Sequence, residues 1–296
     1  MLPIIFMEKS IKNYLILIFL AIIWGSSFIL MKRGLEVYSY TQVAALRLFI
    51  AFLSLLPFIF RAFKKVAKKH WGPIIITAFL GNGIPAFLFT KAQTHLDSSF
   101  VGILNSLTPL FTLLLGIYFF KSRPTKINIF GILIGLSGAF ILSASTLGGV
   151  LLINFYTLLV VLATFFYAIS VNVIRKYLAD LDAISISALA FLFVGPASGI
   201  YIFSSDFVPL LNTDGGVRAL FFIVILAVIG TSLAVVIFNS LIKDSSAIFA
   251  ASVTYLIPIV AIFWGILDGE NILFTHILGA TIILCGVYLV NKKMVN

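Results

Sequence analysis

Polar positions along this chain act as punctuation between apolar runs of about 20 residues, the length a helix needs to cross a hydrocarbon layer of ~30 Å. The runs are continuous and do not alternate, so the pattern predicts membrane helices and not a transmembrane barrel. It predicts ten spans, at 13–31, 40–60, 73–94, 99–120, 127–145, 150–174, 184–203, 217–241, 247–267 and 273–291. The fold class expected is an all-α polytopic membrane protein. Two spans share an internal proline: Pro109 in SFVGILNSLTPLFTLLLGIYFF and Pro258 in AIFAASVTYLIPIVAIFWGIL. A proline there removes a backbone donor and bends the helix, so a neighbour or a watery cavity must satisfy the freed carbonyl.

These two prolines lie 149 residues apart, as do Gly116 and Gly265, Gly81 and Gly230, and Phe89 and Phe238. Earlier in each half the spacing is 143, from Trp24 to Tyr167 and from Lys32 to Arg175. One half therefore reads as a copy of the other, with units at 13–145 and 150–291. Five spans per copy is an odd number, so the copies enter the membrane in opposite senses. Inverted repeats of this kind place a binding site near the midplane, between the halves.

Composition agrees with this pattern, at 61% hydrophobic and 10% charged residues with mean hydropathy +1.18. A soluble domain is about a quarter charged. The formal charge of +10 reads as membrane orientation and not as nucleic-acid binding. With ten spans, most Lys and Arg fall in the connections on one side, including Lys64, Lys65, Lys68, Lys69, Arg123, Lys126, Lys292 and Lys293. That side is cytoplasmic by the positive-inside rule, which puts both termini inside the cell and the protein in the cytoplasmic membrane. The run after Lys12 is too long for a cleaved signal peptide and reads as the first span, with Met1 or Met7 as the start. Cys285 is the single cysteine, and His70, His95 and His276 are scattered, so neither a disulfide framework nor a metal site is indicated. No cofactor is expected. HExxH, GxSxG and P-loop patterns are absent, and no acidic pair lies in a span, so the expectation is not an enzyme.

Polar groups inside the spans are the candidate site. Arg47 is the one charge well inside a span. It reads either as a counter-charge for an anionic solute or as a side chain that snorkels to the interface or bonds a neighbouring helix. Asn82, Asn105, Asn172 and Asn239 each suit solute hydrogen bonds or helix packing. Asn105 stands four residues before Pro109, where the missing N–H frees its carbonyl, and its counterpart is Thr254 beside Tyr255. Asn82 lies three before Pro85, another broken point. Trp24 and Tyr167 are counterparts that would flank a cavity, and Pro85, Pro109 and Pro258 are the expected kinks. The substrate-binding set is therefore Trp24, Arg47, Asn82, Asn105, Tyr167, Asn239, Thr254 and Tyr255.

The ordered motifs resemble those of the drug/metabolite transporter superfamily, in particular its EamA-type exporters. They are WGSSF at 24–28 with Lys32, Arg47, SLTPLFTLLLG at 106–116, RPTKINIFGILIGLSGAFIL at 123–142, TYLIPIVAIFWGILDGE at 254–270 and GATIILCGVYLV at 279–290. In that family the fourth helix of a half ends in an acidic residue after glycine. Glu270 keeps it, while Lys121 stands at the matching place in the first half. The resemblance implies export of small metabolites, often amino acids, or of amphipathic drugs through a central cavity lined by helices one, three, four, six, eight and nine. The expected partners are a small-molecule substrate and the lipid bilayer, with the protein a monomer or homodimer and without nucleic acid. A lipid-handling, flippase-like protein or a drug-efflux protein is the alternative.

Overall fold

The computed structural model describes residues 2–146, 154–267 and 274–291, and among them every regular element is helical. The helices in chain order are α1 (Leu2–Leu35), α2 (Tyr40–Phe63), α3 (Lys68–Gln93), α4 (Ser98–Leu104 and Thr108–Phe120), α5 (Lys126–Thr146) and α6 (Phe155–Tyr177). Then follow α7 (Ala183–Phe203), α8 (Gly216–Asp244), α9 (Ala247–Ala251 and Val253–Leu267) and α10 (Phe274–Asn291). A short helix, Phe207–Leu211, interrupts the connection from α7 to α8. Seven helices are long and apolar enough to cross a membrane, in α1–α4 and α6–α8. Three shorter apolar stretches, Lys126–Gly138, Ala247–Val260 and Thr281–Val290, lie in α5, α9 and α10. Among the described residues, seven helices are thus long and apolar enough to cross a membrane, where ten spans were expected. Parts of the sixth and tenth expected spans and the Asp268–Glu270 motif fall outside the described residues.

Helix starts follow local capping chemistry. Ser39 and Gln42 form a reciprocal capping box at α2, while Asn154, Asp182 and Ser246 accept first-turn N–H groups at α6, α7 and α9. The α4 helix ends on Lys121 in the left-handed region (φ 54°), and Ser122 N–H closes the turn on the Gly116 carbonyl at 2.8 Å. Lys121 therefore serves as a helix stop where the family pattern places an acid.

The order of packing positions the site. Helix α2 lies along α7, and α5 along α10. Helix α1 packs on α8 and α9, whereas α6 packs on α3 and α4. Each half thus lends its first helix to the third and fourth helices of the other. The α5–α10 contact is close because Gly131, Gly138 and Gly286 face backbone of the opposite helix, where a Cβ would collide. Large apolar side chains such as Leu15, Phe60, Phe119, Phe130 and Ile200 cover the outside, a surface suited to lipid.

Candidate functional site at the junction of the halves

Breaks in regular helix shape the centre of the molecule. Helix α3 carries a π-helical turn at Phe79–Gly83 and α8 carries one at Val228–Leu233. Each turn is stitched by a side chain reaching back five residues. Asn82 Nδ2 donates to the Thr77 carbonyl at 3.0 Å, and Thr231 Oγ1 donates to the Leu226 carbonyl at 2.9 Å. Both donor and acceptor pairs are 149 residues apart, so the same device appears twice. A glycine lies within each turn, close against a serine of the other half. A Cβ on Gly81 would strike the Ser170 hydroxyl, and one on Gly230 would strike that of Ser27.

A cavity of about 960 Å³, its mouth included, lies between the breaks. Related aromatic pairs flank it. Trp24 of α1 meets Phe238 of α8 edge-on, with centroids 4.9 Å apart at 68°. Tyr167 of α6 stacks on Phe89 of α3 at 5.6 Å and 22°. The expected site residues Trp24, Arg47, Asn82, Asn105, Tyr167, Asn239 and Thr254 all border this space. Sequence reasoning passed over Ser27, Ser170, Thr77 and Thr108, which border it too. The 143-residue spacing from Ser27 to Ser170 was the signal that could have found two of them.

Tyr255 corrects the expectation. It is 0% exposed, and its hydroxyl donates to the Ile132 carbonyl of α5 at 3.1 Å. It packs in the core among Val253, Leu256 and Ile283, so it braces α9 instead of facing a solute. Pro85, Pro109 and Pro258 do not border the cavity. Pro85 and Pro109 stand in the first turns of the helical segments after a break, where a missing N–H is tolerated; Pro258 lies inside the second segment of α9. The carbonyls that Pro109 and Pro258 deprive of a donor are already bonded. Thr108 Oγ1 donates to the Asn105 carbonyl at 2.8 Å, and Ser106 Oγ crosses the junction to the Thr254 carbonyl at 3.0 Å. Asn172 ties α6 to α4 through the Thr112 carbonyl at 3.0 Å, and Asn239 bonds Ser187 Oγ of α7 at 2.9 Å. Trp264, on α9, bonds Ser26 Oγ of α1 at 2.8 Å.

Arg47 supplies the charge. Its Nε donates to Thr231 Oγ1 at 2.6 Å, which anchors α2 to the π turn of α8. Among the described residues no carboxylate pairs with it, and none lines the cavity. Trp24 Nε1 donates to the Gly230 carbonyl at 3.0 Å, in the same turn.

Carboxylates instead gather where the connections meet. Lys65 pairs with Asp182 at 2.8 Å, and Lys69 and His70 pair with Asp180 at 2.7 and 3.0 Å. These contacts join the α2–α3 connection and the start of α3 to the α6–α7 connection. Ala67 N–H donates to His70 Nδ1 at 3.0 Å, so the ring proton sits on Nε2 and is given to Asp180. Hydrogen bonds from Lys69 and then His70 hold the Asp180 carboxyl at about 2, below its usual range. Burial works against Asp182, but Lys65 and Ser185 outweigh it and bring it to about 2 as well. Lys243 Nζ donates to the Leu181 carbonyl at the same end.

Sequence comparison decides the family at this point. The EamA-like transporter family matches residues 11–144 and again residues 154–292. The chain belongs to the EamA-like transporter family. It is similar to an "uncharacterized transporter" of Archaeoglobus fulgidus, 23% identical over 95% of this chain and 99% of that one. It is likewise 26% identical to the "uncharacterized transporter YoaV" of Bacillus subtilis, over 94% and 96% of the two chains. A "probable amino-acid metabolite efflux pump" of Salmonella typhimurium is 22% identical over 95% of each. One solved crystal structure shares the fold with a TM-score of 0.73 at 15% identity, covering 95% of this chain and 96% of that one. Homologues and family are transporters, and the helices make this EamA-like transporter a multi-pass membrane protein that acts on a small molecule.

Proposed function

We propose that this EamA-like transporter is a secondary carrier of the cytoplasmic membrane. It exports amino acids or related small metabolites by alternating access, with both termini inside the cell. Residues 13–145 and 150–291 act as two inverted repeats. The observation that carries this reading is the cavity at their junction, flanked by the repeat-related pairs Trp24–Phe238 and Tyr167–Phe89. The exchanged first helices support it, because rocking one half against the other moves α1 over α8 and α9 while α6 moves over α3 and α4. Trp24 and Tyr167 would flank the solute, Asn82, Asn105, Asn239 and Thr254 would supply polar contacts, and Arg47 would read a carboxylate. The name of the Salmonella relative supports the solute class.

Uptake and efflux in proteoliposomes test this, with a panel of amino acids and related acids and with or without a pH gradient. The expected result is saturable flux that Trp24→Ala and Asn105→Ala both impair while the protein still reaches the membrane. Normal flux in both variants would reject the site.

A further inference from the structure

We infer that the solute carries one net negative charge: an organic monocarboxylate with an apolar or aromatic body, such as an oxo acid, and not a zwitterionic amino acid. This rests on the carrier reading above and, of the two solute classes named there, keeps the related metabolites and drops the amino acids.

The cavity holds one cation and, among the described residues, no anion. Arg47 spends its Nε on Thr231, while its terminal nitrogens have no carboxylate partner among those residues. A charge in such a place is stabilised by an opposite charge in its low-dielectric surroundings. A monoanion beside Arg47 makes the occupied cavity neutral. A zwitterion leaves its net charge where it began, and its ammonium then needs acceptors of its own.

Carbonyls at helix breaks are the usual neutral partners of an ammonium, and five of them here already take a protein donor. The Asn105 carbonyl takes Thr108, Thr254 takes Ser106, Thr77 takes Asn82, Leu226 takes Thr231 and Gly230 takes Trp24. Two of these donors cap the carbonyls deprived by proline, and two the π turns. The rest of the wall is mostly apolar, with Phe28, Phe89, Val171, Val235 and Phe238 on the same cavity as Arg47. Such a wall suits a carboxylate on an apolar stem.

Charge also supplies a drive. Expelling a monoanion moves one negative charge outward, so an inside-negative potential sustains a concentration ratio of about 50-fold per 100 mV without a proton. No carboxylate relay within the membrane is then required.

The test uses the full chain in proteoliposomes and body-matched solutes: phenylpyruvate against phenylalanine, 4-methyl-2-oxopentanoate against leucine, and phenethylamine as the cation. Labelled oxo acid is expected to show a net efflux at least about 10-fold faster than its amino acid, the scale of one charge-assisted hydrogen bond. A valinomycin-imposed potassium potential should drive it, and Arg47→Gln should erase the preference while Arg47→Lys keeps part of it. Amino acids moving as fast as the oxo acids would overturn the monoanion and leave the carrier standing. Oxo-acid flux indifferent to the potential would overturn the electrical drive. If no solute of either set moved in the wild-type chain, the monoanion and the carrier reading would fall together.

Discussion

The two sides of the cavity are related by the repeat, yet they do unequal work. On one side Trp24 leans on Phe238 and also bonds the π turn of α8, and Arg47 bonds the Thr231 side chain in the same turn. On the other, Tyr167 stacks on Phe89 and Asn82 closes the turn of α3 with no arginine behind it, because Ala190 stands at the place related to Arg47. The shared parts are the ones that shape the backbone: a stitched π turn, and a glycine under a serine. The parts that differ carry charge and donors. Duplicated geometry builds the cavity, and unmatched side chains give it polarity.

Breaking this contrast at Arg47 should have the largest effect. Arg47→Gln leaves a neutral wall and should lower carboxylate flux by roughly 10- to 100-fold, the equivalent of ~1.5–3 kcal/mol for a charged hydrogen bond.

The next effect concerns the carbonyls that the prolines strip. Ser106→Ala and Thr108→Val should each destabilise by ~1–3 kcal/mol, because a buried carbonyl loses its donor. Thermal unfolding in detergent should fall in both, while a change at Ser54, which bonds its own helix at Ile50, should matter less. A smaller difference separates the aromatic mates. Trp24→Phe loses the bond to Gly230 and should cost about 1 kcal/mol, whereas Tyr167→Phe keeps its stack on Phe89 and should cost less.

The smallest effect is at the basic end. Asp180 and Asp182 ionise at about 2 in the fold against an ordinary 3.8. Their contribution is therefore complete above pH 3.8 and lost as the pH falls toward 2. Thermal stability should be flat from neutral pH down to about 4 and decline below it. Asp182→Asn should remove part of that decline, with an effect at neutral pH of no more than ~1 kcal/mol for so exposed a pair.

Much of this was legible in the chain. The long apolar runs marked the helices, and the 143- and 149-residue spacings marked Trp24 with Tyr167 and Phe89 with Phe238 as counterparts, but not that Trp24 meets Phe238 and Tyr167 meets Phe89. Arg47 stood out as a charge inside a span, and the structure places it on the cavity with its Nε on Thr231. It was misread at Tyr255, because a tyrosine beside a proline looks the same in sequence whether its hydroxyl meets a solute or the Ile132 carbonyl of a neighbouring helix. Asn105 was read as a freed carbonyl for the same reason, since the hydroxyl that caps it comes from Thr108, whose orientation no periodicity shows. The π turns were invisible because α3 and α8 keep ordinary apolar runs through them. The partnership of α1 with α8 and α9 was hidden too, since hydrophobic spacing says which face is buried and not against what.

Alternating access is the claim on which the account turns, and thiol accessibility tests it most directly. In a Cys285→Ser background, Ser27→Cys places a thiol beside the π turn of α8, on the cavity wall. A membrane-impermeant maleimide applied to right-side-out and to inside-out vesicles should label it from both faces, with a transported solute slowing both reactions. Labelling from one face alone, unchanged by any solute, would contradict the account.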